Sequence, residues 1–316
     1  MRKSVAHVGC ATGILAAVGN SRHWAAVVVA LLALPLLACG LSGASAASGK
    51  PEVVVAESFW GSIASQLAGD RAHVTSLISN PDTDPHDYDA TPRDAQLLAR
   101  ARYVIFNGAG YDPWAPKLLA ANPVSDRHVL DIGSLLAVAP GANPHVWYSP
   151  DYVDRVIGRI AADLGDIDPA GRSYFEEQAA HYRTDALAVY HTAIAAMRAK
   201  YAGTPVGASE SIFVYLAAAT GLNLVTPSAY MNAVSEGGEP TAADRATVDR
   251  QVSSKQVRVF VFNSQNSTPE VQGVVDRARA VGIPVVEITE TPVPSSLSFQ
   301  DWQTRQLQSL LAALGG

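Results

Sequence analysis

Residues 168–205 read DPAGRSYFEEQAAHYRTDALAVYHTAIAAMRAKYAGTP. Asp168 and Pro169 form a helix start, a capping carboxylate followed by proline in the first turn. Apolar residues then recur at Phe175, Ala179, Tyr182, Ala186, Val189, Ala193 and Met197, a spacing of three to four that predicts one helix with one buried stripe. The pattern stops near Gly203 and Pro205. A helix over 169–201 would be about 50 Å long at roughly 1.5 Å per residue. It is long enough to brace two lobes, or to pack along one.

Strands and helices alternate on both sides of this stretch. Before it, strands are expected at 52–56, 73–78, 103–106 and 128–130, and helices at 58–67, 94–101, 113–120 and 151–164. After it, strands are expected at 205–208, 222–225, 257–262 and 284–288, and helices at 211–219, 242–252, 269–281 and 299–314. This rhythm predicts an α/β protein whose mostly parallel sheets are flanked by helices. The domain plan is a first lobe over 51–167, a linking helix over 168–202 and a second lobe over 203–316. A chain of 316 residues suits two such lobes.

The first 38 residues are set apart. WAAVVVALLALPLLA at 24–38 is apolar, follows Arg22, and is short for a membrane span, the order of a secretory signal. It ends Leu36-Leu37-Ala38-Cys39, which resembles a bacterial lipobox with Cys39 as the lipidated residue. Residues 39–50, rich in Ser, Gly and Ala, then form a flexible tether. The other cysteine, Cys10, lies in the removed segment, so the exported domain has neither a disulfide nor a thiolate metal site.

The whole chain has a net charge of −6. Beyond the signal it holds 20 Lys and Arg against 29 Asp and Glu, or −9. That balance argues against a nucleic-acid partner and favours a cationic ligand. No Walker loop, dinucleotide glycine fingerprint, HExxH, CxxC or GxSxG is present, which weighs against nucleotide binding, zinc proteolysis, redox exchange and serine hydrolysis.

Two histidines follow proline in loops at strand ends. His86 lies in DPHDYDATPRD at 84–94, and His145 in NPHVWYSP at 143–150. Either alone reads more readily as a loop residue of no special role. Together they supply the paired imidazoles that a metal site needs. Acidic neighbours Asp84 and Asp87 are placed to steady the first ring, and Asn143 and Trp147 to support and shield the second. His73, His128, His181 and His191 read as structural or solvated.

These two motifs resemble those of the zinc/manganese class of ABC-transporter substrate-binding proteins, whose patterns are DPHxYEPxPxD and DPHxWxDP. The similarity runs from about Glu52 to the C-terminus. Asp89-Ala90 stands where Glu-Pro is common, and Asn143 where Asp is common. The resemblance implies two lobes joined by one long rigid helix. It also implies a third ligand, Glu210, in SESIFVY at 209–215, and a fourth, Glu290, in VVEITET at 285–291. Outside the resemblance, Glu210 reads as a helix N-terminal carboxylate and Glu290 as a solvated loop acid. Glu287 and the loop at 236–240 are rivals, and Asp87 or Gln265 could join the shell.

The implied function is non-enzymatic. A divalent ion, Mn²⁺ or Zn²⁺, is captured between the lobes by His86, His145, Glu210 and Glu290 and delivered to an ABC permease. A lipid-anchored monomer on the outer face of the cytoplasmic membrane is expected. The competing readings are a metallochaperone or adhesin of the same fold, and a metal-dependent hydrolase. The absence of a long histidine-rich loop between Tyr111 and His145 leans towards manganese.

Overall fold

Two four-stranded sheets, every strand pairing parallel, carry the molecule. The computed structural model describes residues 49–315, apart from Asp84 and Asp87. The signal segment, Cys39 and all but the end of the tether therefore lie outside the described residues. Among those described, no helix is long and apolar enough to cross a membrane.

The first sheet holds β1 (Glu52–Glu57), β2 (His73–Ile78), β3 (Tyr103–Phe106) and β4 (His128–Asp131), in the order β2-β1-β3-β4. The second holds β5 (Pro205–Ala208), β6 (Asn223–Leu224), β7 (Phe260–Asn263) and β8 (Val285–Ile288), in the order β6-β5-β7-β8. The two orders are the same, so both lobes reverse direction at the corresponding pair of strands. In open parallel sheets, ligands collect at the carboxyl ends near such a reversal. The strand segments YVIF and FVFN are buried at every residue, as strands covered on both faces must be.

The helices are α1 (Ser58–Ala68), α2 (Pro92–Arg100), α3 (Trp114–Ala121), α4 (Ile132–Leu136), α5 (Pro150–Ile167), α6 (Arg172–His181), α7 (Ala188–Tyr201), α8 (Val214–Thr220), α9 (Ser228–Ser235), α10 (Ala242–Ser253), α11 (Pro269–Ala280) and α12 (Phe299–Leu314). Local signals start many of them. Thr91 and Asp94 form a reciprocal capping box on α2, with Pro92 in its first turn. Ser149, Thr241, Thr268 and Ser298 cap α5, α10, α11 and α12 through their hydroxyls. The short helices α4 and α9 were not expected from periodicity, which has too few turns to register there.

The long helix departs locally from its expected register, although Phe175, Ala179, Tyr182, Ala193 and Met197 of the expected stripe are buried. α6 and α7 are joined by a π-helical turn at Tyr182–Ala186. A π turn adds one residue and rotates the next helical segment around the axis. Val189, on the expected buried stripe, is 57% exposed, and its neighbour Tyr190 is fully buried in its place.

One apolar core runs through both lobes, from Val53 and Trp60 through Phe175 and Tyr190 to Phe260 and Leu310. α12 ties them further. The N–H of Phe299 donates to Ser62 Oγ at 2.9 Å, and the amides of Gln66 and Gln300 pair reciprocally at 3.1 and 2.7 Å. Tyr182 also donates its hydroxyl to Gln300 Oε1 at 3.0 Å.

A buried acid pair sits at the end of β1. Asp112 accepts the N–H groups of Asn107 at 2.7 Å and Gly108 at 2.8 Å. Glu57 beside it is fully buried, and its two oxygens make no well-formed hydrogen bond. Burial and then the charge of Asp112 push its carboxyl well above the usual carboxylate range, which favours the protonated acid. A raised folded-state pKa means that stability declines as pH climbs above the unfolded value of 4.5 towards the folded one. Glu57→Gln should remove this contribution, on the order of 1 kcal/mol per pH unit across that window. Urea unfolding at pH 5 and pH 8 checks it: the variant should gain on the wild type at the higher pH.

Candidate metal centre

Loops at the carboxyl ends of the two sheets, and the segment after α4 that carries His145, meet between the lobes. His86 lies in the loop after β2. That loop is pinned where Trp114 Nε1 donates to the carbonyl of Pro85 at 3.1 Å, and where Tyr88 donates to Asp94 at 2.7 Å. The half-buried His86 ring stands edge-on to Tyr111, with centroids 4.6 Å apart.

His145 is 1% exposed. Its Nδ1 lies 2.7 Å from Asn143 Oδ1, and its backbone N–H donates to the same oxygen at 3.1 Å. Asn143 Nδ2 reaches across to the carbonyl of Ser211 in the second lobe at 2.7 Å, and Tyr215 donates to the carbonyl of Asn143 at 2.9 Å. The amide is thereby oriented with its oxygen on the imidazole. His145 therefore carries its proton on Nδ1 and leaves Nε2 as a lone-pair donor. Burial, and secondarily the charge of His86, hold its pKa down at about 3. Trp147 covers the ring at 5.2 Å between centroids and is itself stacked on Phe59 at 4.3 Å.

Glu210 follows β5 with extended backbone and is 1% exposed. It stands at the N-terminus of the helical turn that follows, but its side chain makes no capping hydrogen bond there. Instead Oε1 accepts from Asn263 Nδ2 at 2.6 Å and Oε2 from Asn266 Nδ2 at 2.8 Å. Glu290, after β8, is half-buried, not a solvated loop acid. Its Oε1 accepts from the same Asn263 Nδ2 at 2.9 Å, and its Oε2 from the Tyr111 hydroxyl at 2.8 Å. Gln265 Oε1 accepts the N–H groups of Glu290 at 2.6 Å and Thr291 at 3.0 Å, which commits Gln265 to holding this loop.

His86, His145 and Glu290 offer ligand atoms that all lie within 4.8 Å of one another, and no other such group occurs among the described residues. Glu210 is not in that group but is joined to Glu290 through the single amide of Asn263. Cavities of about 350 and 300 Å³ flank the cluster, and both are lined by residues of the two lobes. Glu287 faces solvent on β8. Glu236 rims the larger cavity, and Glu239 turns to Arg245 at 3.8 Å. Asp84 and Asp87 lie outside the described residues. The sequence reading passed over Tyr111, Ser211, Tyr215, Asn263 and Asn266. The amide-rich segment 263–266 (NSQN) at the end of a buried strand was the available signal.

This arrangement of two histidines and an acid at the mouth of two parallel sheets can be set beside known proteins. The chain matches, over residues 53–313, the family model described as zinc-uptake complex component A, periplasmic, and it belongs to that family. It is 28% identical over 265 residues to the metal ABC transporter substrate-binding lipoprotein FimA of Streptococcus parasanguinis, covering 77% of this chain and 82% of that protein. The zinc uptake protein ZnuA of Bacillus subtilis is 24% identical over 269 residues, covering 76% and 81% respectively. The Mn-bound periplasmic metal-binding protein of Candidatus Liberibacter asiaticus shares the fold, with a TM-score of 0.72 at 20% identity over 84% of this chain and all of that one.

The His145 environment makes a direct prediction. In metal-free protein the ring should stay neutral, with its proton on Nδ1, from pH 7.5 to pH 5, because its pKa lies at about 3. Side-chain ¹⁵N shifts that hold constant across this range would bear it out, and a midpoint within the range would contradict it.

Proposed function

We propose that this chain is the substrate-binding component of a metal ABC importer and captures one divalent ion, Mn²⁺ or Zn²⁺, between its lobes for delivery to a membrane permease. The observation that carries this reading is the convergence of His86 and His145 from the first lobe with Glu290 from the second. Membership of the family, and relatives named as metal ABC transporter lipoproteins, support it. We assign Glu210 as the fourth ligand. Two imidazoles and two carboxylates neutralise a divalent charge and suit either ion. Asn143 orients His145, and Trp147 keeps water from it.

The lobes would be 51–167 and 203–316, linked by 168–202. The chain would be exported, cut before Cys39, and held as a lipid-anchored monomer on the outer face of the cytoplasmic membrane. The tether after Cys39 and the lipobox-like sequence before it support that placement. The core shared by both lobes and the α12 contacts favour a small opening movement over a wide hinge rotation.

The test is metal content and thermal unfolding of residues 40–316 with Mn²⁺, Zn²⁺ and Fe²⁺. One ion per chain is expected. At a hundredfold excess over Kd the stabilisation should be about 2.7 kcal/mol, or on the order of 5 °C in Tm. His86→Ala/Glu290→Ala should abolish both signals. Asn143→Ala should keep one ion but weaken it by roughly 10- to 100-fold. A wild type that binds none of the three ions would refute the reading.

A further inference from the structure

We infer that Asn263 is the residue that sets the coordination number of the captured ion, holding Glu210 and Glu290 to one ligating oxygen each and so favouring a four-coordinate, zinc-like ion. This inference rests on the transport reading and deepens it.

Asn263 is wholly buried at the end of β7. Its backbone N–H donates to Ser209 Oγ at 3.2 Å, and its Oδ1 accepts the N–H of Gln265 at 3.0 Å. These contacts fix which way the amide faces. Its NH₂ group is left pointing at the two carboxylates, 2.6 Å from Glu210 and 2.9 Å from Glu290. One uncharged group thus satisfies one oxygen of each acid. The second oxygens are met by Asn266 at 2.8 Å and Tyr111 at 2.8 Å.

Bidentate ligation needs both oxygens of a carboxylate to turn towards the ion. Here that turn would draw the Asn263-bound oxygens away from a buried amide, and a poorly met buried polar group is costly. The less costly arrangement leaves the Asn263 bonds in place and offers the other oxygen of each glutamate, which retains a second lone pair beside its bond to Asn266 or Tyr111. With two imidazole nitrogens the protein then supplies four donors, the tetrahedral set that Zn²⁺ accepts readily. Oxygen-loving ions that prefer six or more ligands gain less from such a site. The missing histidine-rich loop leaned towards manganese, but the hydrogen bonds around the carboxylates lean the other way.

Co²⁺ is the probe, because tetrahedral Co²⁺ absorbs visible light far more strongly than octahedral Co²⁺. The wild-type protein, residues 40–316, should give the intense tetrahedral bands. Asn263→Ala should lower them several-fold and shift the Mn²⁺ to Zn²⁺ affinity ratio at least tenfold towards Mn²⁺. Asn263→Ser, which can donate to only one carboxylate, should fall between, and it decides the matter if the alanine variant does not fold. Weak octahedral bands in the wild type would overturn the inference. So would variants that keep both the band intensity and the metal ratio. A wild type that binds no Co²⁺, Zn²⁺ or Mn²⁺ would sink the transport reading itself, an outcome separate from binding with the wrong geometry.

Discussion

Two glutamates held close together, one buried and one half-buried, are the constraint on which this structure turns. Glu210 and Glu290 each accept a hydrogen bond from the same amide nitrogen, so their charges are only a few ångströms apart. Like charges in a partly desolvated site repel strongly. The hydrogen-bond donors around them offset part of that repulsion. A divalent cation would remove it altogether. Much of the surrounding architecture serves to present those donors: Tyr111 from the first lobe, Asn263 at the end of β7, and Asn266 just beyond it.

The lobes are coupled by the same polar groups. Asn143 orients the imidazole of His145 with one end of its amide and holds the second lobe at Ser211 with the other. An aspartate there could accept from the imidazole but could not donate to the carbonyl of Ser211. The departure from Asp to Asn noted in the sequence therefore has a geometric counterpart. Far from the site, the Gln66–Gln300 amide pair and the Phe299–Ser62 bond hold the lobes at the level of α1 and α12. An opening movement has to leave these in place or break them, and a core continuous through both lobes resists wide separation.

Family membership and local geometry bear on different questions. The match over residues 53–313 places the chain among zinc-uptake components, and the solved structures under 25% identity establish the fold alone. Neither chooses the ion. The side chains around the two carboxylates bear on that question, and among them are two asparagines, Asn263 and Asn266.

Most of the strands, and the helices of three turns or more, were legible because each has a complete local signature. Examples are the cap and proline that start α2, and the unbroken apolar runs of β3 and β7. His86 and His145 were legible as a pair through their Pro-His motifs, and the resemblance pointed to Glu210 and Glu290. Three things were not. The π turn at Tyr182–Ala186 exchanged Val189 for Tyr190 on the buried face, a shift that the three-to-four spacing of apolar residues does not show. Asn263 could not be seen bridging two acids that lie 53 and 27 residues away in the chain. Nor could Asn143 be seen spanning 68 residues to Ser211. Periodicity and short motifs report what neighbouring residues do to one another. The sequence alone therefore determined the alternation of strands and helices and the identity of the imidazoles. The tertiary structure decided which donors face the carboxylates, because that depends on two sheets packed with their carboxyl ends together.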